Sequence, residues 1–120
     1  MAEKARSVLL VVDDESSVCR ALRRLMGDRA DEIITAQTPT DAETILHSRS
    51  VTHVICDHFL GPGQPKGMDI AKKWKDAFPS IRSVIILTGT NVKNLDPPET
   101  IDHVLPKTTD PVELAELLGL

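Results

Sequence analysis

Short apolar blocks recur along the chain, each followed by a polar stretch. Val8–Val12 is continuous, residues 33–36 are weaker, and residues 54–56, 84–87 and 104–105 follow. Blocks this short and this rich in Val and Ile predict strands buried on both faces, as in a parallel sheet. The segments between them carry helical periodicity. Val18, Leu22, Leu25 and Met26 share a stripe that leaves Arg20, Arg23 and Arg24 on a solvated face, with Gly27 as the stop. Thr38, Pro39 and Asp41 read as an N-cap and first turn ahead of Ala42, Ile45 and Leu46. Ile70, Ala71, Trp74 and Phe78 form a third stripe closed by Pro79, which makes Trp74 a core residue. The run from Asp110 to Glu113 resembles a capping box with proline at the first helical position, followed by Leu114, Leu117 and Leu118. The connection over residues 91–102 differs. Pro97 and Pro98 cannot continue a helix, so a helix there is one or two turns or absent.

Strands alternating with helices predict an α/β domain, a doubly wound parallel sheet covered on both faces with right-handed crossovers. The chain of 120 residues suits one such domain over 1–120, with a core at about 7–118. Ligands of these sheets bind beyond the carboxyl ends of the strands, so the residues at those ends are the candidates for chemistry. Strand one ends in Asp13 and Asp14, strand three in Asp57, strand four in Thr88 and strand five near Lys107. An aspartate after one strand is common. Acids, a hydroxyl and an ammonium at successive ends of one sheet are not, and together they mark a site.

This pattern resembles the receiver domain of two-component response regulators. The matching residues are the Asp13–Asp14 pair, Asp57 after VTHVIC, Thr88 after VIIL and Lys107 after HVLP, over essentially the whole chain. The resemblance implies a flavodoxin-like sheet of order 2-1-3-4-5, its fourth helix here short or irregular. It implies Asp57 as phosphoacceptor, assisted by Thr88 and Lys107. It also implies Mg2+ held by Asp13, Asp14, Asp57 and the backbone carbonyl of Phe59. A hard divalent cation takes carboxylate and phosphate oxygens, which explains a row of acids at the end of a buried strand. The implied partners are a histidine kinase or a histidine phosphotransfer protein and an output partner of unknown identity. Homodimerisation is left open, as is whether the chain is a whole regulator or a piece of a longer one. The same resemblance makes the domain a phosphoacceptor that supports its own phosphorylation and dephosphorylation, not an enzyme acting on separate substrates.

Three departures from the family stand out. Thr108 follows Lys107 where receivers usually carry proline, so a different aim is expected for the lysine. The loop after Asp57, HFLGPGQPKGMDI, is long and rich in Gly and Pro. Val104 occupies the position three before Lys107 where many receivers place an aromatic switch residue. The missing aromatic and the short connection from Thr88 to Lys107 favour, as the alternative, an interaction module of the same fold that signals without phosphate. A Mg2+-dependent aspartyl phosphotransferase needs a second acid two residues after its nucleophile, and Phe59 stands there.

Composition narrows the classes further. The net charge of -4 and the 2% aromatic content argue against nucleic-acid binding. No apolar run spans a membrane, and no signal-type segment follows the amino terminus, so the expected location is cytoplasmic. Cys19 and Cys56 lack metal or disulfide spacing and read as buried free thiols. His47, His53, His58 and His103 lack ligand spacing and read as surface or edge residues. A dinucleotide site is excluded, because no GxGxxG follows strand one.

Overall fold

A computed structural model describes residues 6–89, 97 and 99–120. In chain order the elements are β1 (Val8–Val12), α1 (Ser16–Leu25), β2 (Glu32–Ala36), α2 (Pro39–Ser48), β3 (His53–Asp57), α3 (Gly67–Ala77), β4 (Ser83–Thr88), β5 (His103–Pro106) and α4 (Pro111–Leu118). The strands form one sheet in the order β2-β1-β3-β4-β5. Every pairing is parallel. This is the expected flavodoxin-like sheet. The expectation of a short or irregular helix over residues 91–102 falls largely outside the described residues.

The alternation along β1 divides the interior into two layers. Val8, Leu10 and Val12 pack with Ala42 and Leu46 of α2 and with Ile70, Ala71 and Trp74 of α3. Leu9 and Val11 face the other way and pack with Cys19, Leu22 and Met26 at α1 and with Leu114, Ala115 and Leu118 of α4. All five β1 residues are therefore buried, which accounts for the unbroken apolar run. Trp74 lies in the core as its stripe predicts. The helix starts follow the local chemistry: the Thr38 hydroxyl accepts from the Asp41 amide, and the Asp110 carboxylate accepts from the Val112 amide.

Two expectations need correction. Leu25 is 55% exposed, because Cys19 takes the centre of the buried face of α1 and turns Leu25 to its margin. His53 is buried, where a surface or edge position was expected. It opens β3 at the amino end of the sheet. Its Nδ1 lies 2.7 Å from the Thr52 hydroxyl, and its ring also hydrogen-bonds the backbone at Leu118. Burial, then the positive charge of Arg82, hold its pKa below the ordinary value of 6.5. The fold therefore favours neutral His53, and the unfolded chain binds the extra proton first. That contribution to stability is complete above the unfolded pKa and is lost as pH falls below it. The stability advantage of wild type over His53→Gln should shrink between pH 7.5 and pH 5.5 in urea titrations. An advantage that grew on acidification would contradict this assignment.

Candidate functional site

The carboxyl ends of β1, β3 and β4 and the start of the segment after β5 meet at one edge of the sheet. Asp13 follows β1 directly, and its amide donates to the carbonyl of Ala36 at 3.1 Å, which extends the ladder by one residue past the strand. Asp57 is the last residue of β3 and Thr88 the last of β4. Lys107 follows β5, and its amide donates to the Thr88 carbonyl at 3.0 Å. Asp13, Asp57 and Thr88 are all buried, whereas Asp14 is exposed. Register and pairing thus bring together the five side chains that the strand ends predict.

Lys107 is the electrostatic centre of the group. Its Nζ lies 2.9 Å from Asp57 Oδ2, 3.5 Å from Asp13 Oδ2 and 3.5 Å from Glu15 Oε1. With Thr108 in place of the usual proline, Lys107 still reaches Asp57. The β4–β5 pairing sets Pro106 beside Thr88 and so places Lys107 next to the end of β4. Burial by itself would lower the Lys107 pKa. The hydrogen bond to Asp57 and the charges of Asp13, Asp57 and Glu15 outweigh it and hold the pKa above its usual value.

The carboxylates are strained in the opposite sense. Burial pushes Asp13 up to about 6, against the lowering effect of the Glu15 amide that donates to its Oδ1 at 2.9 Å. The negative charge of Asp57 adds to the rise and Lys107 opposes it. Burial also raises Asp57, although Lys107 and the Phe59 amide pull it down. Carboxylate oxygens of Asp13, Asp14 and Asp57 lie within 4.8 Å of one another. One ammonium shared among such acids leaves negative charge uncompensated, and an oxygen-only donor set of this kind suits a hard divalent cation.

An open cleft of about 670 Å3 lies above these groups, lined by Asp14, Asp57, Phe59, Lys66, Thr88 and Lys107 among others. The Phe59 ring is half-exposed at its margin. The loop beneath it is fastened at its far end, where the Gly67 amide donates to the His58 carbonyl at 2.7 Å. A Cβ on Gly67 would overlap the Asp57 carbonyl, lying 2.8 Å from its carbon and 3.0 Å from the His58 Cα. The start of α3 therefore rests directly on the backbone of Asp57.

Some of this is not assigned from the sequence. Glu15 stands out there as the third acid of the row after β1 but is given no role at the site, and it reaches Lys107. Gly67 looked like one more loop glycine. Cys19 and Cys56 are buried free thiols as expected, but both abut the site: the Cys19 thiol contacts the Asp13 carbonyl at 3.5 Å and the Cys56 thiol the Asp57 carbonyl at 3.3 Å. Burial pushes both thiols above their usual pKa, which keeps them protonated and unreactive.

No family model matches the sequence. Among curated proteins, the alginate biosynthesis transcriptional regulatory protein AlgB of Pseudomonas putida is 29% identical over 85 residues, 71% of this chain. The chain matches only 18% of that regulator's length. Among solved structures, a response regulator receiver domain protein from Clostridium thermocellum is 29% identical with a TM-score of 0.80, over 94% of this chain and 91% of the other. A response regulator from Burkholderia pseudomallei, solved with a phosphorylated aspartic acid, a calcium ion and citrate, is 20% identical with a TM-score of 0.77. That match covers 93% of this chain and 66% of the other, and at this identity it speaks for the fold alone. Among the described residues no helix is long and apolar enough to cross a membrane.

Proposed function

From the premise that this chain has the receiver-domain fold of two-component response regulators, we propose that it accepts a phosphoryl group on Asp57 from a phosphohistidine donor. The observation that carries this reading is the 2.9 Å contact of Lys107 with Asp57, beside carboxylate oxygens grouped within 4.8 Å. An Asp57 oxygen forms the new bond to phosphorus. The phosphorus–nitrogen bond to the donor imidazole breaks, and its electron pair leaves with that nitrogen. Such transfers depend on positioning and on charge stabilisation over the transferred oxygens. Lys107 stands ready to neutralise those oxygens. The Thr88 hydroxyl, at the adjacent strand end, donates a hydrogen bond to the new phosphoryl group. Asp13, Asp14, Asp57 and the Phe59 carbonyl are the residues that would hold Mg2+. Bound there, Mg2+ supplies positive charge to the phosphoryl oxygens and offsets the crowding of acids.

The donor would be a histidine kinase or a histidine phosphotransfer protein, the setting cytoplasmic, and the receiver the acceptor rather than an enzyme on separate substrates. Phosphorylation would alter the contacts of an output partner. Val104, half-buried and packed with the α2–α3 core layer, supplies no aromatic ring to rotate, which favours a second reading. In that reading the domain is an interaction module whose surface does not answer to the phosphate.

Intact mass after incubation with acetyl phosphate tests the first reading. One added phosphoryl group is expected, requiring both Mg2+ and Asp57 and absent in Asp57→Asn. No adduct together with no Mg2+ binding would reject the phosphoacceptor. An adduct without any change in partner binding would favour the interaction module.

A further inference from the structure

The cleft above Asp57 is lined by a second cation that the phosphoacceptor scheme does not use. Lys66 stands at the N-cap position of α3, and its Nζ lies 4.9 Å from the centroid of the Phe59 ring. Three features fix it there. Gly61 and Gly63, with φ of +117° and +78°, let the loop fold back on itself. The neighbouring Gly67 is pinned to the His58 carbonyl and packs against the Asp57 backbone. The Phe59 ring, half-exposed and two residues after Asp57, offers its face to the ammonium. Among the described residues the ion pairs of the cleft all run to Lys107. Lys66 is left as an exposed positive charge held by a ring at the margin of an acidic site.

We propose that Lys66, parked over Phe59, is a donor-recognition residue that attracts and holds the phosphoryl group of the phosphodonor on its way to Asp57. The chemical logic is charge. Asp13, Asp14, Glu15 and Asp57 crowd the floor of the site, and a phosphorylated donor arriving there is itself an anion. Lys107 is already committed to Asp57, Asp13 and Glu15, whereas Lys66 lines the same cleft and is exposed. An ammonium on an aromatic face keeps its charge and gives up little when it turns to a stronger anion. The proposal rests on the phosphoacceptor reading and names a residue that governs which donors that site takes.

The test measures Asp57 phosphorylation by acetyl phosphate and by the less negatively charged phosphoramidate, at low and high salt, in wild type, Lys66→Gln, Lys66→Arg and Phe59→Leu. Lys66→Gln should slow transfer from acetyl phosphate about three- to tenfold at low salt, as expected for one partly solvated charge pair. The loss should be smaller with phosphoramidate, should fade at high salt and should be restored by Lys66→Arg. Phe59→Leu should give a weaker loss of the same kind. Calorimetric titration of beryllium fluoride, which binds a carboxylate without transfer chemistry, should show weaker binding to Lys66→Gln. Phosphorylated Lys66→Gln with unchanged rate, salt dependence and beryllium fluoride affinity overturns the role of Lys66 alone. A wild-type protein that takes neither phosphoryl nor beryllium fluoride overturns the phosphoacceptor reading and this role with it.

Discussion

Gly67→Ala should cost the domain about 3 kcal/mol, the upper end of what overpacking usually costs. The reason is local and steric. The added methyl would overlap the carbonyl of Asp57 and lie 3.0 Å from the His58 Cα. Both obstructing groups are backbone, so no flexible side chain can swing away. The backbone of α3 must move instead, and it carries Ile70, Ala71 and Trp74 into the core. It is also tied to the loop by the Gly67 amide bond to the His58 carbonyl. Relief of the overlap therefore either lifts α3 or displaces Asp57. The urea midpoint should fall with an unchanged slope, and Asp57 phosphorylation should fall more than stability alone explains. Gly63→Ala provides the contrast. Unlike Gly67 it has a positive φ, +78°, but nothing lies within 4 Å of its would-be Cβ, so its cost is conformational and should leave Asp57 in place. Equal stability of Gly67→Ala and wild type would show that the start of α3 does not bear on the phosphoacceptor backbone.

The contrast between Gly67 and Asp57 shows what the sequence could reveal. An aspartate after one strand is common, and Asp57 was legible only because the acids, Thr88 and Lys107 fall at successive strand ends. The Val/Ile runs and the helical stripes suffice for the layers of the sheet, since hydrophobic period reports burial directly. The constraint on Gly67 comes from two backbones that are close in space and separated by a loop, and no periodicity encodes that approach. The same holds for Lys66, whose interest lies in a ring and a cleft that exist only after folding. His53 and Leu25 went astray for a related reason. A histidine beside a threonine reads as polar, but the fold supplies the Thr52 hydroxyl and the chain near Leu118 as partners. A leucine on a stripe reads as core, but Cys19, a small residue with a weak polar signal, holds the centre of that face.

Asp13→Asn, expected to impair Mg2+ binding, should nevertheless stabilise the metal-free domain at neutral pH. Asp13 is 2% exposed and close to Asp57, and burial lifts its pKa from 3.8 to about 6. In the window from 3.8 to about 6 the folded protein holds a proton that the unfolded chain has released. Stability from this group is therefore greatest below pH 3.8, falls through that window, and reaches its full cost above about pH 6. A shift of this size corresponds to roughly 3 kcal/mol at most. Asparagine keeps an oxygen for the Glu15 amide but gives up the ion pair with Lys107 at 3.5 Å, so a net gain of about 1–2 kcal/mol is expected. The gain should vanish near pH 4, where wild-type Asp13 is protonated when folded. Mg2+ reverses the order. A cation at a hundred times its dissociation constant stabilises the fold by about 2.7 kcal/mol. Wild type should gain that increment and Asp13→Asn much less of it, so the two unfolding curves cross as Mg2+ is added at pH 7. Variant and wild-type curves that keep their order at every Mg2+ concentration would remove Asp13 from the cation site. A metal-free variant less stable than wild type at pH 7 would mean that the Lys107 ion pair outweighs burial. In the crossing case, the acids that make the empty fold expensive are the same groups that give a divalent cation its hold on it.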